Sequence, residues 1–437
     1  MFLGGGLMIN FTGFYTQKLK SYKNSVNGFL PNHVVIPLMQ DGKFECEAIV
    51  KPGDKVSEGQ LIASLQQDSS KYNSYIYSPV PGVVESIELT LCPNGHYSKG
   101  IKIKVGGSFN FLGKKNKATS WNSFSASGLT REIAEKGILN TFTTSKPVLL
   151  ANQIDYAVKN KSKLLVIRLF DEDPSRISDS LVSKMFFDDV VEGSEITAKS
   201  MDAKGIVFIA DENFIIPDNF KVSLPWIVVP VNSKAYPIGF PVEICKAVKK
   251  FTKDELFASI KKDDLFVDSM TMLEVCKSVK FSKPIIDKYV HVSGECIPSA
   301  GFFKVSLGTT LRFLAEQCGG FLKNPAAVVI NGLIVGTSAS DLDIPITKYV
   351  KSVSFLPLKR KPNQIHSECI RCGNCRRVCT MGLSPDILYR HMIGGKPAEP
   401  DYLKTAVLCS DCGLCNTVCP SRLSISQLIS ELKNKIQ

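Results

Sequence analysis

The sequence predicts a multidomain fold of mixed α/β and β parts, and three observations predict it. A chain of 437 residues is too long for one hydrophobic core and suggests about three or four domains. Short β-rich runs punctuated by glycine open it, and longer apolar β-rich runs alternating with helix-like stretches follow. Eight of its 14 cysteines then crowd into two runs of one spacing near the C-terminus. Hydrophobic content of 44% and charged content of 22% are ordinary for a globular chain. No run of about 18 apolar residues occurs, so no membrane-spanning helix is expected. Met1 to Tyr15 is apolar and glycine-rich, but no Lys or Arg precedes Lys18, which argues against a signal peptide and leaves Met8 as an alternative start.

Residues 30–105 read as short strands broken by turns. Val34–Leu38 leads into Glu47-Ala-Ile-Val-Lys-Pro-Gly-Asp-Lys-Val-x-x-Gly59, then Leu61–Leu65, Tyr75–Ser78 and Val83–Leu89, with Gly53, Gly59 and Gly82 at the turns. The V-K-P-G-D-K-V and S-P-x-x-G-V-V elements resemble the barrel-sandwich hybrid fold of lipoyl and biotinyl carriers, and a first domain is expected over 8–112. Lys71 stands before Pro79 at the offset where such carriers hold a modified lysine. Its neighbours, Ser70 and Tyr72, are not the methionines of a biotin site, so the domain is read as structural.

Residues 113–270 follow an α/β pattern. Leu129–Lys136 predicts a short helix closed by Gly137, while Leu164–Phe170, Gly205–Ala210 and Trp226–Val231 suit buried strands. Helical stretches between them and over Val242–Phe251 imply a mostly parallel sheet, a Rossmann-like arrangement. In 285–350, the strands Tyr289–Ser293, Phe302–Ser306 and Ala327–Ile330 surround a helix over Thr310–Cys318 stopped by Gly319-Gly320, a small β-grasp-like module. A Lys/Pro-rich linker, Lys359–Pro362, leads into a last domain over 360–437. It ends in an amphipathic helix with Ile425, Leu428, Ile429, Leu432 and Ile436 on one face.

That last domain carries Cys369-x2-Cys372-x2-Cys375-x3-Cys379 and Cys409-x2-Cys412-x2-Cys415-x3-Cys419. The spacing is that of two-cluster bacterial ferredoxins, in which three thiolates of one run hold one [4Fe–4S] cube and the fourth reaches the other cube. On that pattern cluster A takes Cys369, Cys372, Cys375 and Cys419, and cluster B takes Cys409, Cys412, Cys415 and Cys379. Structural zinc pairs its cysteines two and two with longer separations, and disulfides need an oxidising compartment. The other cysteines, Cys46, Cys92, Cys245, Cys276, Cys296 and Cys318, sit among apolar neighbours and are expected to be buried free thiols.

Net charge is +12, and part of the excess clusters around the first cysteine run. Lys348, Lys351, Lys359, Arg360, Lys361, Arg371, Arg376 and Arg377 face only Glu368 between Thr347 and Cys379. Such a belt suits an acidic redox partner or an anionic membrane surface. No nucleic-acid motif accompanies it, so no nucleic-acid partner is expected.

The order of these parts resembles the C subunit of Rnf-type ion-translocating electron transport complexes, from about Met8 to Ser424. Further matching pieces are Asp171-Glu-Asp-Pro174, Tyr236-Pro237-x-Gly239, V-S-G-x-x-x-P-S-A-G-F at 292–302 and Pro345-x-Thr347-Lys348. The resemblance implies an α/β domain related to the flavin subunit of NADH dehydrogenase and an SLBB-like β-grasp. It also implies a peripheral subunit of a translocating oxidoreductase on the cytoplasmic face of the bacterial inner membrane. Its partners would be the integral and peripheral subunits of the complex and a soluble acidic carrier such as ferredoxin. In that family a glycine-rich loop after the first helix cradles FMN and NADH phosphates on backbone amides. Here Ile138–Pro147 holds no glycine and is shorter, and Phe240-Pro241 stands where G-E belongs. Gly137, Glu172, Asp173 and Thr271 are the remaining candidate FMN contacts. The expectation is a degenerate FMN/NADH site, no catalytic side chain, and electron transfer through two clusters. A soluble flavin/iron–sulfur reductase of the cobalamin-reductase type would need that loop intact. A carrier or scaffold protein would leave the cysteine runs unexplained.

Overall fold

The computed structural model describes residues 9–10, 24–40, 44–65, 71–114, 117–217, 220–360, 367–394 and 399–436. Met8, Ser70, Lys361 and Pro362 lie outside them. Two strands, β1 (Ile9–Asn10) and β2 (Val26–Asn27), precede β3 (His33–Pro37), β4 (Glu47–Ala48), β5 (Lys55–Val56), β6 (Leu61–Leu65), β7 (Ser74–Tyr77), β8 (Gly82–Leu91) and β9 (Tyr97–Val105). Sheets β3-β9-β8-β5 and β4-β6-β7 are antiparallel and close on one core. Alternation in β3 sends Val34 and Ile36 inward against Ile62, Ile76, Ile101 and Ile103. The buried Glu58 carboxylate accepts from the amides of Asn110 and Phe111, both at 2.6 Å, and fastens the segment that leaves this unit.

The next part runs α1 (Ala126–Glu135), β10 (Leu139–Asn140), β11 (Val148–Leu149), α2 (Leu150–Lys159), β12 (Leu164–Arg168), α3 (Ser178–Met185), α4 (Phe187–Ser200), β13 (Gly205–Asp211), β14 (Trp226–Val231), β15 (Ala235–Tyr236), α5 (Pro241–Phe251), α6 (Glu255–Ala258), β16 (Leu265–Asp268) and α7 (Ser269–Phe281). Strands β14-β13-β12-β16 form an all-parallel sheet. Every residue of β12 and β16 is buried, because helices cover both faces: α1, α2, α3, α4 and α7 one side, α5 and α6 the other. Asp268 ends β16 and caps α7, accepting from the Thr271 amide at 2.7 Å.

The third part contains β17 (Asp287–Ser293), β18 (Gly301–Ser306), α8 (Leu311–Gln317), β19 (Ala327–Ile330), β20 (Thr337–Ala339) and β21 (Ser352–Leu356). They join a six-stranded mixed sheet in the order β2-β18-β17-β21-β19-β20. The early strands are thus used far along the chain: β2 lies parallel to β18, and β1 pairs antiparallel with β15. His291, inside β17, is buried, and desolvation depresses its pKa from 6.5 to about 4. The unfolded chain therefore binds a proton that the folded one rejects between those values. Stability should be complete above about pH 6.5 and fall by about 3 kcal/mol as pH drops towards 4. Denaturant unfolding across that window should show the slope, and His291→Gln should flatten it.

The C-terminal part holds α9 (Asn374–Val378), α10 (Pro385–Met392), α11 (Pro400–Lys404), α12 (Leu414–Thr417) and α13 (Ile425–Ile436). Ile425, Ile429 and Leu432 of α13 are buried with Leu388 and Leu423; Leu428 is half-buried and Ile436 exposed. Among the described residues, no helix is long and apolar enough to cross a membrane.

Candidate iron–sulfur centre and the loop beside it

The two cysteine runs repeat not only in spacing but in backbone. Gly373 and Gly413 follow the second cysteine of each run with φ of 73° and 69°, the left-handed region a tight loop needs and a side chain resists. Arg371 and Asp411 occupy equivalent places, each at φ 57°. Cys369, Cys372 and Cys375 line one recess together with Cys419 of the other run, beside Asp386, Tyr389 and Pro420. Cys379 of the first run acts electrostatically on Cys412 and Cys415 of the second. The chain therefore brings together three cysteines of one run with the last cysteine of the other.

The chemistry of this donor set fits a cationic centre. Burial pushes the Cys409 thiol up to about 12, with Asp411 adding to the rise, and burial and neighbouring cysteines push Cys415 up as well. Converging buried thiolates are costly until iron supplies the opposing charge. Backbone amides already point at sulfur: Leu383 N–H donates to Cys379 Sγ and Asp411 N–H to Cys409 Sγ, both at 3.4 Å. Such bonds favour the thiolate and tune a bound cluster. The six remaining cysteines are all buried, and none of them forms a disulfide.

Two lysines of the basic belt read from the sequence, Lys348 and Lys351, are buried, whereas Lys359, Arg371, Arg376 and Arg377 are exposed. Lys348 is buried, donating to the carbonyls of Tyr75 at 2.8 Å and Gly137 at 2.9 Å. Lys351 is fully buried between Asp179 and Asp268, both at 2.9 Å. Arg376 forks onto Asp386 at 2.6 and 2.7 Å, and Lys359 pairs with Glu295. Nothing is described of Lys361 or of the Arg360 side chain. Lys71 pairs with Asp155 of α2 at 2.8 Å, tying the first part to the second.

The segment after α1 folds as a hairpin, β10 against β11, over the carboxyl ends of the parallel strands. That crevice is where open α/β sheets bind ligands; here Arg168 and Phe142 pack into it, and an open pocket of about 270 Å³ lined by Phe142, Lys146, Pro241 and Phe266 lies beside the hairpin. Arg168, at the end of β12, is fully buried; it donates to the Phe142 carbonyl at 2.7 Å and the Gly239 carbonyl at 2.8 Å. Its guanidinium lies 4.0 Å over the Phe142 ring, which packs on Phe266. Each candidate flavin contact is engaged internally. Gly137, at φ 69°, closes α1 against the first part, where an added Cβ would meet the Tyr75 carbonyl at 2.8 Å. Glu172 accepts from the Thr144 amide and hydroxyl at 3.1 and 3.0 Å. Asp173 accepts from the amides of Ile334 and Val335. The Thr271 hydroxyl accepts from the Thr141 amide at 3.2 Å. No backbone cradle for a phosphate is left among them, so these residues do not fit a flavin. Sequence reasoning does not reach Arg168 and Phe142; an arginine interrupting the apolar run Leu164–Phe170 is the one signal that points to them.

Behind the hairpin lies a buried ion network. Arg176 sits 3.3 Å from Asp171 and 3.6 Å from Glu172 and Asp179. Burial would raise Asp268, but Lys351 and the Thr271 amide hold it well below the usual carboxylate range. Lys351→Met should leave buried Asp268 without its paired cation and Asp179 with Arg176 alone, and cost about 3–5 kcal/mol. Thermal unfolding of the variant checks this, and an unchanged midpoint would refute it.

Residues 13–108 match the RnfC barrel sandwich hybrid domain, and residues 365–423 match the 4Fe-4S dicluster domain. The C subunit of the proton-translocating ferredoxin:NAD(+) oxidoreductase complex of Clostridium ljungdahlii is 25% identical over 368 residues, 82% of this chain and 78% of that one. The C subunit of the ion-translocating oxidoreductase complex of Rhodobacter capsulatus is 26% identical over 374 residues, 82% of this chain and 69% of that one. The chain is a homologue of these Rnf-type proteins. The chain therefore combines a barrel-sandwich hybrid domain, mixed α/β structure and a ferredoxin-like 4Fe-4S domain. Among solved structures, the air-oxidized NAD+-reducing [NiFe]-hydrogenase has a TM-score of 0.47 at 12% identity, covering 72% of this chain and 63%, less than two thirds, of that one.

Proposed function

We propose that this chain is a peripheral iron–sulfur subunit of an Rnf-type, ion-translocating complex, passing single electrons between protein partners. Cluster A would rest on Cys369, Cys372, Cys375 and Cys419, and cluster B on Cys409, Cys412, Cys415 and Cys379. What carries the reading is the meeting of Cys419 with the three leading cysteines of the other run around one recess. Bound clusters supply one-electron exchange; the chain's own residues hold them, shield them and set their potential through N–H···S bonds. The parallel sheet is read as a Rossmann-like unit that has kept its architecture and packed Arg168 and Phe142 into its ligand crevice, and the sheet around β17 as a β-grasp of the SLBB kind. Attachment at the cytoplasmic face of the membrane would come through partner subunits. FMN is not among the cofactors of this reading.

Anaerobic purification with iron, sulfide and flavin quantification tests it. About eight irons per chain are expected, with a paramagnetic signal on reduction. Zinc in their place, with no such signal, would overturn it. In cells lacking the integral subunits the chain should leave the membrane fraction, and retention there would refute peripheral attachment.

A further inference from the structure

The two halves of the C-terminal domain share a backbone but not their surroundings. In the second half, the loop after Cys409 is covered by this same chain. An added Cβ on Gly413 would meet the Ile334 carbonyl at 3.0 Å, and Leu414 is buried with Tyr236, Phe240 and Val378. The Tyr236 hydroxyl donates to the Cys412 carbonyl. Asp411 is gripped by Lys146 of the hairpin loop at 2.7 Å and by Lys433 of α13 at 3.3 Å. The contact is thus apolar at its centre and closed at its rim by a lysine from the covering domain.

At the equivalent pole of the first half nothing described covers the loop. Space around Gly373 is open, Cys372 is exposed, and Ile370 is 65% exposed. Arg371 stands where the second half has Asp411, and Arg377, also exposed, donates to the Cys372 carbonyl at 3.2 Å. Arg376, by contrast, is already forked onto Asp386. One pole is a finished interface; the other has its geometry with the sign of the rim charge reversed.

We infer that the pole formed by Ile370, Arg371, Cys372 and Arg377 docks an acidic protein carrying a one-electron centre. This rests on the reading of Cys369, Cys372, Cys375 and Cys419 as a cluster site. The fitting surface is an apolar patch for Ile370 rimmed by carboxylates for the two arginines, as Lys146 serves Asp411 at the other pole. The step is transfer of one electron: the partner's centre is oxidised by one as the cluster set is reduced by one, and no bond or proton moves. Cys372, exposed at the centre of the pole, gives the shortest route across the contact.

The test uses the full chain with clusters loaded anaerobically and, as probe, a reduced acidic ferredoxin, with bleaching followed by stopped flow. The wild-type rate should fall as salt rises, and Arg371→Glu or Arg377→Glu should slow it by about tenfold or more. Arg371→Lys should restore most of the rate. Iron and sulfide content separates the two claims. If the wild type loads no clusters, the cluster reading fails. If loaded clusters are reduced equally fast in wild type and both Glu variants, the docking pole alone is wrong. Should a Glu variant lose its iron, the wild type still decides, because a rate indifferent to salt overturns the proposal.

Discussion

Cys419→Ser should empty the cluster site of the opposite cysteine run. Iron should fall from about eight to about four per chain, and the surviving signal should belong to the set led by Cys409, Cys412 and Cys415. The reason is geometric: Cys419 lies in the recess with Cys369, Cys372 and Cys375, against Tyr389. Cys379→Ser should do the reverse, because Cys379 acts on Cys412 and Cys415. Iron quantification with spectroscopy of the reduced variants checks both. Loss in Cys419→Ser confined to the second run's own cluster would refute the crossed assignment.

The isolated, cluster-loaded chain should be a poor acceptor of electrons from NADH. Bleaching by NADH should be at least about a hundredfold slower than by a reduced protein donor, since hydride chemistry needs a flavin and a nicotinamide held in register. The crevice that would hold them contains Phe142 stacked under Arg168, with the carbonyls of Phe142 and Gly239 bound to the guanidinium. Lys146, the one cation of that loop able to attract a phosphate, is committed to Asp411. Rapid bleaching by NADH together with one tightly bound flavin per chain would show this view of the hairpin to be wrong.

What the sequence reveals and conceals follows from the range of the interactions involved. Cluster ligation is local chemistry, so spacing within each cysteine run declares it. The apolar runs of β12 and β13 are equally plain, because strands buried on both faces read as unbroken hydrophobic stretches, and β14 reads alike although it is an edge strand with Trp226 and Pro230 exposed. Strand β16 is not legible; four residues followed at once by α7 give no clear period. The burial of two lysines of the basic belt is concealed for a different reason. Lys351 finds Asp179 at a separation of 172 residues and Lys348 finds Tyr75 at 273, and no pattern along the chain announces such partners. Pairing of β1 with β15 and of β2 with β18 is hidden in the same way.

The packing of Arg168 on Phe142 bears on how the molecule is made. Where a flavin-binding fold depends on its ligand to complete its interior, an apoprotein is left with a hole and unpaired amides until the ligand arrives. Here Arg168 and Phe142 complete that interior from within the chain, at the ends of the parallel strands. The α/β part can therefore reach its final packing on the ribosome's product alone. On the function proposed above, maturation then waits on one supply line, the delivery of iron and sulfide to the cysteines.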